Sequence, residues 1–248
     1  MSPDGKDTRE SACMPRAERG ERMRARLREA TIESIARDGI AGATVERITE
    51  RAGVSRGLVR HHFGSKNRLL AESFQLLADD YRAMLGIGTG DERLSGGSAE
   101  LRLRAALLPA FERLDGGPDR QFAWFGFWAL ARSDGEIRRI IRALYEDVVG
   151  HLGDLIGAVA SAHGSEVDAE AAGRGLAAIM EGVWVCSAVG LQEDSTREAE
   201  RLCLDYVSRL LGLESWDTQA TEVAHGVTRS AYQSWRPSVL QRREPAVA

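Results

Sequence analysis

The property that most narrows what this chain can become is its hydrophobic period. Apolar residues recur at steps of three and four along nearly the whole sequence, and alternating runs rich in Val, Ile, Thr and Tyr are missing. An all-α fold is expected. Met23, Leu27, Ala30, Ile32, Ile35 and Ala36 mark a first helix from about Glu18 to Asp38, stopped by Gly39. Thr44 caps a short helix, Val45–Ala52, whose Val45, Ile48 and Ala52 face inward. Gly53 breaks it, and Ser55 caps a second short helix through His62. Ser65 then caps a long amphipathic helix from Lys66 to about Leu85. Five more helices are expected at about 98–115 (bent at Pro109), 119–132, 134–162, 166–190 and 195–212, with Asp134 and Ser195 as N-caps and Gly164 as a stop.

The segment 86–98, with five glycines and two serines, is the expected hinge between an N-terminal domain over 21–81 and a second over 98–212. Residues 1–17 are expected to be a disordered tail and 217–248 a flexible one. A composition of 43% hydrophobic and 28% charged residues suits chains with a sizeable core. No apolar run approaches the ~20 residues a membrane helix needs, and no secretory h-region is visible. Cys13, Cys186 and Cys203 form no CxxC pair, which suits a reducing compartment; a cytoplasmic location is expected. The net charge of −4 is unevenly spread: residues 1–75 carry a net of +4 and the remainder −8. Either only the N-terminal part meets a polyanion or the asymmetry is accidental surface composition.

Residues 44–63, TVERITERAGVSRGLVRHHF, read as helix, three-residue turn with glycine, helix, the helix-turn-helix arrangement. Such a turn needs a small residue before it (Ala52), a glycine tolerating positive φ (Gly53) and an apolar plug (Val54). Val59 and Phe63, four apart, face the core. Arg56, Gly57, Leu58, Arg60 and His61 are left outside, on a helix that a B-DNA major groove admits. Arg56 and Arg60 lie one turn apart, suited to guanine edges or phosphates, and Gly57 lets a backbone approach closely. The same pattern also occurs in helix pairs that never touch DNA.

Residues 21–81 resemble the DNA-binding domain of TetR-family regulators. The resemblance rests on Ile35-Ala-Arg-Asp-Gly39, Ala43-Thr44, Arg51-Ala-Gly-Val-Ser-Arg-Gly57 and His62-Phe-Gly-Ser-Lys66. It implies phosphate contacts from Thr44, Lys66 and the positions closing the recognition helix, here His61 and His62. Arg47 and Ser55 complete the candidate interface to double-stranded DNA. Tyrosines often stand in the family where this chain has Arg60 and His62, implying a different operator preference. Phe125-Gly-Phe-Trp-Ala129 and Gly175-Leu-Ala-Ala-Ile-Met-Glu-Gly-Val-Trp184 resemble the C-terminal domain of BetI-type repressors, which respond to choline. That resemblance spans about 100–212 and implies a bundle for ligand binding and dimerisation.

Five aromatics fall between Phe122 and Trp128, while Glu181 and Trp184 lie three apart near Met180. Aromatic faces plus a carboxylate attract a quaternary ammonium, at ~0.5–2 kcal/mol per cation–π contact. The candidate effector residues are therefore Trp124, Phe125, Trp128, Met180, Glu181 and Trp184; the plain alternative is that the aromatic stripe is core. Ala169, Ala171, Ala172, Gly173, Gly175, Ala177 and Ala178 permit close helix approach, either across a two-fold axis or within one chain. A homodimer is expected, placing recognition helices ~34–36 Å apart on a palindromic operator.

His61 and His62 point about 100° apart on a helix and do not suit one metal. No catalytic triad, P-loop, HExxH or dinucleotide fingerprint occurs, so neither an enzyme nor a cofactor is expected. The expected function is a repressor released from its operator by a small molecule. An activator or effector-independent regulator, and a helical ligand-binding protein with a vestigial DNA-binding domain, are the other readings.

Overall fold

A computed structural model describes residues 15–88, 97–112, 118–191 and 196–213. These residues form helices and no strands: α1 (Arg16–Gly42), α2 (Val45–Ala52), α3 (Gly57–Phe63), α4 (Lys66–Met84), α5 (Ala99–Glu112), α6 (Pro118–Leu130), α7 (Gly135–Ala162), α8 (Ala169–Ala188) and α9 (Thr196–Leu211). No described helix is long and apolar enough to cross a membrane.

The stop and start signals act largely as their chemistry requires. Gly39 breaks α1 at φ 68°, ψ 175°, and one further turn runs to Gly42. Thr44 Oγ1 accepts from the Arg47 N–H at 3.3 Å, Ser65 Oγ from Arg68 N–H at 3.1 Å, and Asp134 Oδ1 from Glu136 N–H at 2.9 Å. Gly164 ends the turn after α7 at φ 68°. Two starts differ from expectation. Ser55 contributes its carbonyl to the Leu58 N–H, not a side-chain cap, and α3 opens at Gly57 with Arg56 in the N-cap position. α8 opens at Ala169 because Asp168 caps it, three residues later than expected. α1 reaches back to Arg16, inside the tail expected over 1–17; residues 1–14 of that tail, Ser195, most of the 86–98 hinge and the tail over 217–248 lie outside the described residues.

The chain folds as two compact units that do not follow its linear order: residues 1–77 with 119–140, and 78–118 with 141–248. In the first unit α1 packs against α2 and α3. Leu27, Ile32, Ile35, Ile48, Ala52, Val59, Leu69 and Phe74 are buried there. α6 joins this unit through its aromatics: Phe127 lies 4.7 Å and Trp124 5.2 Å, centroid to centroid, from the buried Phe74. Gly126 is required where α6 crosses α1, since a Cβ there would stand 2.5 Å from Ile35 Cγ2.

The second unit packs α9 against α5 and α8. Its core includes Leu103, Leu107, Phe111, Leu152, Ile156, Leu176, Met180 and Val207. α7 and α8 meet backbone to backbone: a Cβ on Gly173 would lie 2.2 Å from the Val149 carbonyl oxygen. Gly175 is filled from α9, with Tyr206 Oη 2.1 Å from where its Cβ would be. Much of the small-residue stripe on α8 is therefore used inside the protomer: Ala172, Gly173 and Ala177 are buried, while Ala171 and Ala178 stay exposed. Arg104 and Glu200 form a buried ion pair at 3.9 Å between α5 and α9.

Candidate nucleic-acid interface

α3 is only seven residues long, far too short to persist without tertiary support. Its anchors are Val59 and Phe63, 3% and 7% exposed, which one helical turn places on the same face. The turn before it is built as the residue types demand. Gly53 adopts φ 61°, ψ 43°, a left-handed conformation that a β-carbon would strain. Val54 is half-buried and donates its N–H to the Thr49 carbonyl at 2.9 Å.

With that face anchored, Ser55, Arg56, Gly57, Arg60 and His61 are exposed, and Leu58 and His62 are half-buried. Among the described residues, nothing beyond its own turn of helix and chain neighbours comes within 4 Å of a Cβ placed on Gly57, so no such contact demands glycine there. Arg56 keeps 70% of its side chain exposed and pairs with Glu46 at 3.3 Å. Arg60 makes no ion pair among the described residues. The Glu46 carboxyl lies below its ordinary range because its own backbone N–H and the Thr44 hydroxyl donate to it, with Arg56 and Lys66 adding attraction. Thr44 and Lys66 are half-buried at the starts of α2 and α4, and Arg47 is exposed. Arg47 and Arg51 share Asp38 at 3.6 Å each, tying α2 to the end of α1. His62 is pushed below the usual imidazole range, first by burial and then by His61 and Arg24. The two His rings meet edge to face at 4.8 Å, and no described cluster of His, Cys, Asp and Glu is suited to a metal ion.

Sequence reading missed Arg24. It donates from Nη1 to the His62 carbonyl and from Nη2 to Glu72, and its guanidinium carbon lies 4.6 Å above the Phe63 ring. Arg68 shares Glu72 at 3.1 Å and reaches Glu136 at 3.0 Å. Only Arg68–Glu72 has a local i,i+4 spacing; the partners of Arg24 and the Arg68–Glu136 pair lie 38 to 68 residues apart, where no local spacing announces them.

The aromatic and acidic candidates divide between the units. On α6, Trp124, Phe125 and Trp128 are half-buried, and the Phe125 and Trp128 rings stand at 88° with centroids 6.0 Å apart. On α8, Met180 is buried and Trp184 half-buried. Glu181 keeps exposed surface, yet the surrounding protein raises its carboxyl above the ordinary range by desolvation.

Comparison with known proteins agrees with this geometry. Residues 27–73 match the family described as bacterial regulatory proteins, tetR family, and residues 99–212 match the BetI-type transcriptional repressor C-terminal domain. The regulator BetI 1 of Chromohalobacter salexigens is 31% identical over 193 residues, covering 76% of this chain and 90% of the relative. The chain belongs to the TetR family. BetI of Burkholderia thailandensis is 30% identical over 203 residues, 80% of this chain and 98% of the relative. Among solved structures, a transcriptional regulator from Pseudomonas aeruginosa PAO1 superposes with a TM-score of 0.69 at 29% identity, over 81% of this chain and 94% of that one. A regulator from Saccharomonospora viridis, solved in complex with choline, shares the fold at a TM-score of 0.63 and 21% identity, covering 76% of this chain and 96% of that one. Like its TetR-family relatives, the protein is a DNA-binding transcriptional regulator, not an enzyme.

Proposed function

We propose that this TetR-family protein is a repressor that sits as a homodimer on a palindromic operator and is released by a small cationic effector. One observation carries the DNA half of the reading: α3 is anchored by Val59 and Phe63 and presents Arg56, Gly57, Arg60 and His61 outward. Arg56 and Arg60 would read base edges, with Ser55, Leu58 and Gly57 at close approach. Thr44, Arg47, His62 and Lys66 would hold phosphates around them. Val189, Leu191 and Leu210, exposed apolar residues at the ends of α8 and α9, supply surface for a second copy.

The effector half rests on chemistry. Each unit by itself offers groups that attract a cation: the half-buried Phe125–Trp128 pair on α6 in the first, and Glu181 with Trp184 on α8 in the second. A quaternary ammonium such as choline, the ligand of one fold relative, suits such groups. The test is selection of duplexes from a random pool by the purified protein, followed by salt titration. A repeat with inverted half-sites and an affinity loss of ~10³–10⁵ from 50 to 200 mM salt, as expected for 6–10 phosphate contacts, supports the reading. Selection of no duplex overturns it, and DNA affinity unmoved by choline, betaine aldehyde or a wider metabolite panel overturns its effector half.

A further inference from the structure

A helix of seven residues held by two side chains can rock about the line joining them, and rocking would swing Arg56 and Arg60 out of register with a groove. Arg24 closes off that motion. From α1 it donates to the His62 carbonyl, one of the C-terminal carbonyls that a helix leaves without an internal partner. It lies over Phe63, the second anchor, and its other nitrogen pairs with Glu72 on α4. Only a guanidinium can do this, because its rigid fork donates in two directions while its face stacks on a ring. Its positive charge also meets the negative end of the α3 dipole. Arg24 and Glu72 are well shielded, with side chains 28% and 18% exposed. Glu72 is shared with Arg68, whose second contact is Glu136 in the first turn of α7. All of these groups lie in the first unit.

We propose that Arg24 is the positioning residue that sets the docking angle of the recognition helix, and that Glu72, Arg68 and Glu136 hold it in place as one strap from α1 to the start of α7. The inference rests on the reading of α3 as the DNA-reading helix. It adds residues that touch no DNA.

The test measures operator affinity and amide hydrogen exchange on the same full-length variants. Arg24→Gln is expected to weaken binding at least tenfold, and Arg24→Lys, which keeps the charge but not the fork, is expected to restore at most a third of the loss. Glu72→Gln is expected to cost three- to tenfold. Glu136→Gln, breaking an exposed pair, is expected to cost about twofold alone and nothing in the Arg24→Gln background. In the DNA-free protein, amides 59–64 of Arg24→Gln should exchange at least tenfold faster, while the buried α1 residues Ile32 and Ile35 keep their rates. Wild-type affinity in Arg24→Gln overturns the proposal. So does exchange that quickens equally through the whole unit, which would mark a merely structural residue. If Arg24→Gln fails to fold, Glu72→Gln carries both readouts. If the wild type selects no duplex, the DNA reading falls, and the exchange measurement still decides whether Arg24 clamps α3.

Discussion

Gly173→Ala probes the close backbone crossing of α8 on α7. The added Cβ would stand 2.2 Å from the Val149 carbonyl oxygen and 2.7 Å from the Gly153 nitrogen, where real Cβ contacts essentially never fall below 3.0 Å. Both obstacles are backbone, so no rotamer change relieves them and α7 must lift away from α8. Overpacking of this kind costs ~1–3 kcal/mol, and the better helix propensity of alanine returns about 0.5–1. The net loss is about 1–2 kcal/mol, or roughly 2–8 °C in Tm for a protein of this size. Gly150→Ala is the matched control: on the same α7, exposed, with nothing within 4 Å of its Cβ, it should gain about 0.5–1 kcal/mol. Urea and thermal unfolding followed by circular dichroism should therefore separate the two variants by about 1.5–3 kcal/mol. Equal stability, or a Gly173→Ala protein more stable than wild type, would refute the backbone crossing and with it the assignment of the α8 glycine to packing within one chain.

Other outcomes follow from the same physical arguments. Arg60→Ala should cost ~1–3 kcal/mol of operator affinity and relax the base preference at one position; Lys66→Ala should weaken all sequences alike and lower the salt slope by about 1. Fluorescence anisotropy over a panel of duplexes separates the two. His62 is held below the usual imidazole range in the free protein, so neighbouring phosphates should drive proton uptake on binding. Operator affinity should then rise as pH falls from about 7.5 to 6, and His62→Gln should flatten that slope; an unchanged slope would remove His62 from the interface. Burial pushes the Cys203 thiol up to about 12, so iodoacetamide at pH 8 should label half-buried Cys186 and spare Cys203 in a folded Cys13→Ser protein, as read by peptide mass spectrometry. Leu210→Glu should turn the proposed homodimer into a monomer by light scattering, and an unchanged dimer mass would place the interface elsewhere.

Much of the candidate DNA interface was legible from spacing alone. Thr44 as a cap, Gly53 as a left-handed break, Val59 and Phe63 as anchors and the exposure of Arg56 and Arg60 all depend on neighbours within a few residues. Ser55 was misread because a serine before a helix fits a cap whether or not its hydroxyl is used. Here the first turn closes on its carbonyl instead.

Helical period and local punctuation thus settled which segments are helices and which face of α3 is free, because both are decided within one or two turns of chain. Tertiary structure alone decided what each apolar or charged face meets. It placed the α6 aromatics against Phe74 in the first unit and committed Gly173 to the crossing with α7. It also brought Arg24 to a carbonyl 38 residues away. The period of a helix reports that a face must be covered. Which partner covers it depends on how distant segments pack, and one chain's local pattern carries no record of that.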